Sequence, residues 1–545
     1  MKKIFSVSLA FIFFISVFAQ PSGVPGDNLQ RPKLVVGIVI DQMRWDYLYR
    51  YYDRYAANGG FKKMLNQGFS CENTLIPYTP TVTAPGHTSI YTGSVPAIHG
   101  ITGNLWWDNA EQREVYCTED KSVKTVGSAT AAGMQSPRNM LVTSICDELR
   151  LATNFQSKVI GIAIKDRGGI LPAGHSANAA YWYDGASGNW ITSTYYMEDL
   201  PQWVKDINAK KLADKYYEKG WSTLYPVNTY TQSTEDNKSY ETKNFGTGFP
   251  YDLKKFIGKN YNIISSIPQG NTFTLDMAKG AIEGEKLGAD NITDFLALSF
   301  SSPDYIGHGF GPNSIEQEDD FLRLDQELGE FLNYLDNKIG QGQYTVFLSA
   351  DHGVAHVPGF MKENKLPSGS FNNGIVIDLI NQQLKNKFGQ ADIIVTLSNY
   401  QVSLDNKLIH DAKLNREEIV NFIIDSLSKQ NGVARVFEIS KMMETPLPSK
   451  IKEMLANGYY PPRGGDIQII LQPGWLENFG STGTTHGLWN PYDAHIPLVW
   501  YGWGINKGKT NRETYMTDIA PTIAALLRIQ MPSGSIGKVI SEVIK

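Results

Sequence analysis

The sequence predicts an α/β fold with a mainly parallel central sheet flanked by helices and its working residues gathered at one sheet edge. Three observations predict it. Short, β-branched apolar runs recur along the 545-residue chain, and each stops abruptly at polar residues capable of chemistry. Runs that are apolar at nearly every position are buried on both faces, the habit of parallel strands covered by helices. Stretches with helical spacing lie between the runs, as the crossovers of a parallel sheet require.

Taken in chain order, "KLVVGIVIDQ" is the first strand and ends at Asp41. The turn "TPTVTAPGHTSIYTG" at 79–93 follows, and Pro85 suits the first turn of a helix whose N-cap falls at about Thr83. "SKVIGIAIKDRGG" is a strand that ends at Lys165, Asp166 and Arg167. Residues 178–265, rich in Tyr, Trp, Asn and Lys with few clean strands, read as a surface insertion or cap. "DMAKGAIEGEKLG" returns to helical spacing, and "ITDFLALSFSSPDYIGHG" is a strand ending near Asp304 and His308. The next helix places Phe321, Leu324, Leu328, Phe331 and Leu335 at helical spacing. "QYTVFLSADHG" then delivers Asp351 and His352. Residues 388–475 read as strand–strand–helix–strand–helix–strand, a small α+β subdomain inserted before the last core strand, "HIPLVWYGWG". In open α/β sheets ligands bind outside the carboxyl ends of the strands, so these strand ends assemble one site.

Composition narrows the classes of function. Hydrophobic residues make up 42% of the chain and charged residues 19%, enough apolar material for a full core. The net charge is −5 and no Lys/Arg-rich run tracks a phosphate backbone, which argues against nucleic acid as a polymeric partner. Residues 1–19 place Lys2 and Lys3 ahead of an apolar stretch that ends at Ala19, the pattern of a signal peptide. The catalytic chain at 20–545 is therefore expected to be exported, periplasmic or secreted, with no stable membrane anchor. Cys71, Cys117 and Cys146 show neither CxxC spacing nor a metal pattern and read as structural, with their pairing left open. The oligomeric state is left open as well.

The chemistry lies in carboxylates and imidazoles. Asp304-x-x-x-His308 and Asp351-His352 end two strands, Asp41 ends a third, and His486 sits in the loop "GSTGTTHGLWN". These are the oxygen and nitrogen donors that zinc accepts. Six of them are too many for one tetrahedral ion and suit two ions sharing a site, the arrangement that clamps both oxygens of a phosphoryl transfer. Such a site needs a nucleophile, and Thr83, near a helix N-terminus, fits best; Thr79 and Thr81 are the alternatives. Helix capping alone is the plainer role for Thr83, but it leaves the acidic and histidine-rich strand ends unexplained.

The set Asp41, Thr83, Asp304, His308, Asp351, His352 and His486 resembles the alkaline phosphatase superfamily, in order and in local spacing, from about residue 33 to 540. The Thr-x-Pro-x-His turn resembles both the phosphodiesterase branch and the bacterial PafA-type alkaline phosphatases. Asn104 matches a phosphate-oxygen donor of both, while the pair Lys165 and Arg167 matches the PafA-type monoesterases. The resemblance implies a zinc-dependent phosphatase acting on small-molecule phosphate monoesters through a phosphothreonine on Thr83. It implies two zinc ions, one on Asp41, Asp351, His352 and Thr83, the other on Asp304, His308 and His486. Asn104, Lys165 and Arg167 would hold the transferred phosphoryl oxygens, opposite the metals. A nucleotide pyrophosphatase/phosphodiesterase is the alternative within the superfamily, and a binding protein with residual metal sites is the alternative outside enzymes. Sulfatases are disfavoured for want of their Cys/Ser-x-Pro-x-Arg motif, Gly86 departs from the diesterase pattern, and a third, magnesium site has no counterpart. His87, His99, His175, His356, His410 and His495 read as structural.

Overall fold

In the computed structural model, which describes residues 30–242, 246, 248–477 and 480–545, the apolar runs become strands of one sheet. β1 (Leu34–Ile40), β2 (Val159–Ala163), β3 (Ala179–Asp184), β4 (Asp294–Phe300) and β5 (Tyr344–Ser349) are buried along their whole length. With β6 (Leu498–Gly502) they lie side by side in the order β6-β5-β1-β4-β2-β3. The five from β5 to β3 run parallel, with Leu34 level with both Asp294 and Tyr344. Phe69–Cys71 and Gly508–Thr510 beyond β6, and Asn189–Ser193 and Thr125–Val126 beyond β3, bring the sheet to ten strands.

The sheet is thus mixed. It is parallel through the centre, where the site-bearing strands lie, but β6 and Asn189–Ser193 each pair antiparallel with both neighbours. A four-residue turn at 185–188 joins β3 to Asn189–Ser193, and a connection that short permits only antiparallel pairing. These two strands also come from the stretch expected as an insertion. β3 reads AAYWYD, so its strand signal is aromatic rather than aliphatic, yet every residue is buried.

Helices flank the sheet. They include α1 (Thr83–Thr92), α2 (Asp166–Ala173), α3 (Gln269–Gly284), α4 (Ser302–Phe310), α5 (Ile315–Leu335) and α6 (Ile519–Leu527). α2 packs on β2, β3 and β4 and against α1. All ten residues of α1 are buried, polar ones included. Its Thr88 and Thr92 hydroxyls donate to the carbonyls four residues back, each at 2.7 Å, so the threonines carry their own partners into the core.

A second, four-stranded sheet is ordered Ile394–Ser398, Gln401–Leu404, Ile467–Leu471, Val433–Glu438, with all pairs antiparallel. It has its own apolar cluster, built around Val402, Ile467 and the Ile419 and Ile423 side chains of helix Arg416–Ser428. Ile380 and Leu384 of helix Asn373–Phe388 complete that cluster. The three cysteines are buried free thiols, and burial pushes Cys71 and Cys117 up to about 12. Among the described residues no helix is long and apolar enough to cross a membrane. The signal-peptide reading of 1–19 lies outside the described residues.

Candidate active site

Asp41, Lys165, Asp304 and Asp351 follow the carboxyl ends of β1, β2, β4 and β5, which are contiguous in the sheet and parallel. Four distant segments therefore meet within a few ångströms. Asp41, Asp351 and His352 form one triplet of donors and Asp304, His308 and His486 another, the donor atoms within each lying inside 4.8 Å of one another. His352 Nε2 is 3.4 Å from Asp41 and 3.5 Å from Asp351, while His308 Nε2 is 3.2 Å from Asp304. The triplets adjoin, because the His352 and His486 rings stack with centroids 3.5 Å apart.

Each imidazole is oriented by a backbone carbonyl. Nδ1–H of His352, His308 and His486 donates to Gly353, Thr484 and Thr81 at 2.9, 2.7 and 2.7 Å. That fixes the tautomer and turns Nε2 toward the carboxylates. Burial, and for His486 the neighbouring His352 and His308, hold His352 and His486 below the ordinary imidazole range, so both rings are neutral. Two neutral rings thus aim lone pairs at carboxylate oxygens, and Asp41 Oδ1 is buried without a hydrogen-bond donor. Such a set fits divalent cations, and its nitrogen and oxygen donors are those zinc takes.

Thr83 is the first helical residue of α1, one position past the N-cap role the sequence suggested. Val82 is the cap, with extended backbone. The three candidate threonines separate cleanly. The Thr79 and Thr81 hydroxyls donate to the Gly487 and Leu488 carbonyls at 3.0 and 2.9 Å, whereas Thr83 Oγ1 faces His352 Nε2 at 3.4 Å. A Cβ on Gly86 would fall 2.5 Å from the Asp351 carbonyl oxygen, so glycine there lets α1 press its first turn against the strand end that carries Asp351.

Lys165 is buried, and its ammonium lies between the triplets rather than opposite them. Nζ is 2.7 Å from Asp41 Oδ2 and 2.5 Å from Asp304 Oδ2, one carboxylate of each group. Burial opposes the charge, but Asp304 and Asp41 outweigh it and hold Lys165 above the usual lysine value. The reason is elementary: buried carboxylates draw in whatever cation the chain offers. Arg167 donates to the Tyr116 hydroxyl at 3.0 Å, and Tyr116 donates to Asp166 at 2.6 Å. Arg167 Nε is buried with no acceptor, a donor suited to an anion. The Asn104 amide oxygen accepts Ala84 N–H at 2.9 Å, beside Thr83, so its NH₂ is the end left to donate.

Residues 35–493 match the family described as type I phosphodiesterase / nucleotide pyrophosphatase. The chain belongs to that family. Within it, this type I phosphodiesterase family member is 55% identical to alkaline phosphatase PhoV of Synechococcus elongatus, an alignment covering 100% of both chains. It is 51% identical to alkaline phosphatase PafA of Elizabethkingia meningoseptica over 94% of this chain and 95% of that one. The PafA crystal structure matches with a TM-score of 0.92 at 50% identity, covering 94% of this chain and 99% of that chain. A Myroides odoratus protein named as a calcium-transporting ATPase is 56% identical over 95% of this chain and 96% of its own. A second PafA structure carries substitutions at a threonine, an asparagine, a lysine and an arginine, in that chain order.

Two site residues, Gln42 and Tyr116, escaped sequence reading. Gln42 is buried in a left-handed conformation, φ +67°, and its Nε2 donates to Asp304 Oδ1 at 2.7 Å. A glutamine there carries no local signal. His87, read as structural, sits 3.2 Å from Asp351 and bonds the Thr83 carbonyl at 3.0 Å and Ser299 at 2.8 Å. One helical turn after Thr83, it braces the start of the helix, in keeping with a structural role. Tyr116 joins the site only through long-range folding.

Proposed function

We propose that the protein is an alkaline phosphatase that hydrolyses phosphate monoesters by way of a phosphothreonine on Thr83. The carrying observation is the pair of adjoining Asp/His triplets with the Thr83 hydroxyl facing one of them. The names of PhoV and PafA support the activity. The order Thr83, Asn104, Lys165, Arg167 supports the site, since it repeats the residue types substituted in the PafA variant. The fragment 1–19 is assigned as a leader for export, and the remainder of 178–265 and residues 388–475 as insertions in one catalytic domain.

Two zinc ions would be held by Asp41, Asp351, His352 and Thr83 and by Asp304, His308 and His486, supplying positive charge that acidifies a hydroxyl and steadies a leaving oxygen. Thr83 Oγ1 bonds to phosphorus as the ester P–O bond breaks and the alcohol departs, and water then cleaves the Thr83 phosphoester to inorganic phosphate. A divalent cation and the Lys165 ammonium are drawn to the same two carboxylates, the imidazoles facing Oδ1 and Lys165 Oδ2 of Asp41 and Asp304, so a charged metal site repels Lys165 and frees it for the substrate. Lys165, Arg167 Nε and the Asn104 amide then converge on the non-bridging oxygens. A monoester dianion offers them three such oxygens and the larger charge; a diester presents a carbon substituent in place of one. That asymmetry favours monoesterase over the diesterase chemistry of the family description.

Hydrolysis of p-nitrophenyl phosphate against its methyl diester, with zinc-loaded protein, tests the assignment. The monoester should be preferred by about 100-fold or more, the scale of losing one or two charge-assisted contacts in the transition state. A preference for the diester would move the protein to the phosphodiesterase branch.

A further inference from the structure

The four-stranded sheet reaches the active site through the tip of one hairpin. Ser398 pairs with Gln401, so the turn between Ile394–Ser398 and Gln401–Leu404 holds only two residues, Asn399 and Tyr400. Both have positive φ, +54° and +62°, the type I′ geometry that matches strand twist and that asparagine tolerates well. Tyr400 carries a real steric cost in this conformation, which suggests that the tip is held for a purpose.

Each tip residue touches a loop that carries a site residue. Asn399 Nδ2 donates to the Leu105 carbonyl at 2.8 Å, the residue directly after Asn104. The amide lies so close to the backbone there that a Cβ on Gly103 would come within 2.4 Å of Nδ2 and 2.8 Å of the Leu105 carbonyl oxygen, so a side chain at 103 would push the amide off its acceptor. Asn104 is thus flanked by two residues that meet one amide. Tyr400 packs on Gly487, where a Cβ would fall 2.9 Å from the ring, next to His486. The Gly487 carbonyl in turn accepts Thr79 Oγ1 and Thr81 N–H at 3.0 and 3.2 Å. The tip itself is rigid, because the Tyr400 carbonyl accepts Ile469 N–H at 2.8 Å and Gln468 Nε2 at 3.0 Å.

We propose that Asn399 is a positioning residue for catalysis: from the second sheet it fixes the 103–105 loop so that the Asn104 amide meets the transferred phosphoryl group beside Thr83. The proposal rests on the phosphatase reading above. It gives the sheet at 394–471 a role in catalysis exerted through the 103–105 loop.

Asn399→Gly keeps the positive φ and deletes the amide, and it is compared with Asn104→Ala and the double variant. We expect Asn399→Gly to lower kcat/KM for p-nitrophenyl phosphate about ten-fold and to weaken inhibition by inorganic phosphate in the same ratio, with bound zinc unchanged. In the Asn104→Ala background the same change should cost less than about two-fold, since the donor being positioned is gone. If Asn399→Gly folds poorly, Asn399→Asp serves instead. Aspartate tolerates the turn but sets a carboxylate against the Leu105 carbonyl, and the loss should be at least as large. Full activity in these variants, or an equal loss with and without Asn104, would overturn the positioning role while leaving the phosphatase reading intact. A wild type inactive on the ester would overturn both.

Discussion

Replacing Lys165 with methionine, which keeps the volume and removes the charge, should destabilise the metal-free protein far more than the metal-loaded one. The ammonium sits 2.7 and 2.5 Å from two buried carboxylates on different strands. At an effective dielectric of about 20 each pair is worth roughly 6 kcal/mol before desolvation. Losing the ammonium also removes its own burial penalty, so the net cost of stranding Asp41 and Asp304 is about 3–5 kcal/mol. Divalent cations held at the two triplets would replace that charge, so zinc-loaded protein should lose much less. The same competition predicts that Lys165→Met binds zinc more tightly than wild type. Unfolding followed with chelator and with excess zinc, together with zinc titration against a chromogenic chelator, reads both effects. An equal stability loss in the two states, or weaker zinc binding, would refute the competition and make Lys165 a structural support of the ligands.

Other expectations follow from the same geometry. Arg167→Ala removes the buried Nε donor and should cost monoester turnover about 10²–10³-fold while diester turnover changes much less, measured as kcat/KM on both esters. Chelation should abolish activity, and zinc should restore it without refolding, because the histidines are pre-oriented by Gly353, Thr484 and Thr81. Burial and the Glu316 charge raise Glu241 to about 9, and burial raises Glu316 to about 7. Their folded values exceed the unfolded carboxylate value, so the folded state keeps protons that the unfolded chain has lost. Stability therefore falls as pH rises from about 4.5 toward 9, and Glu241→Gln should flatten much of that fall in thermal midpoint between pH 6 and 9.

The sequence carried most of the site because its chemistry sits at strand ends. An apolar run that breaks at Asp41, Lys165, Asp304 or Asp351 is a local signal, and the parallel sheet turns four such signals into one place. What it did not carry is set by partners far away in the chain. β6 gave no sign of running antiparallel, and the aromatic β3 hid among residues expected as surface. Lys165 was expected to face the metals' far side, yet its position follows from two carboxylates more than a hundred residues distant. Gln42 and Asn399 are polar residues in left-handed turns, ordinary in sequence and informative only once their neighbours are in place. The helix start at Thr83 was read to within one residue, since Pro85 constrains it and Gly93 closes the helix in a left-handed cap.

The proposed reaction turns on covalent phosphorylation of Thr83. Acid quenching of the zinc-loaded protein during turnover of p-nitrophenyl phosphate, followed by peptide mass spectrometry, tests it most directly. We expect one phosphoryl group on Thr83, none on Thr79 or Thr81, and its disappearance in a Thr83→Ala variant that still binds metal. Turnover at full rate with no phosphopeptide, or with the label on Thr79 or Thr81, would contradict it.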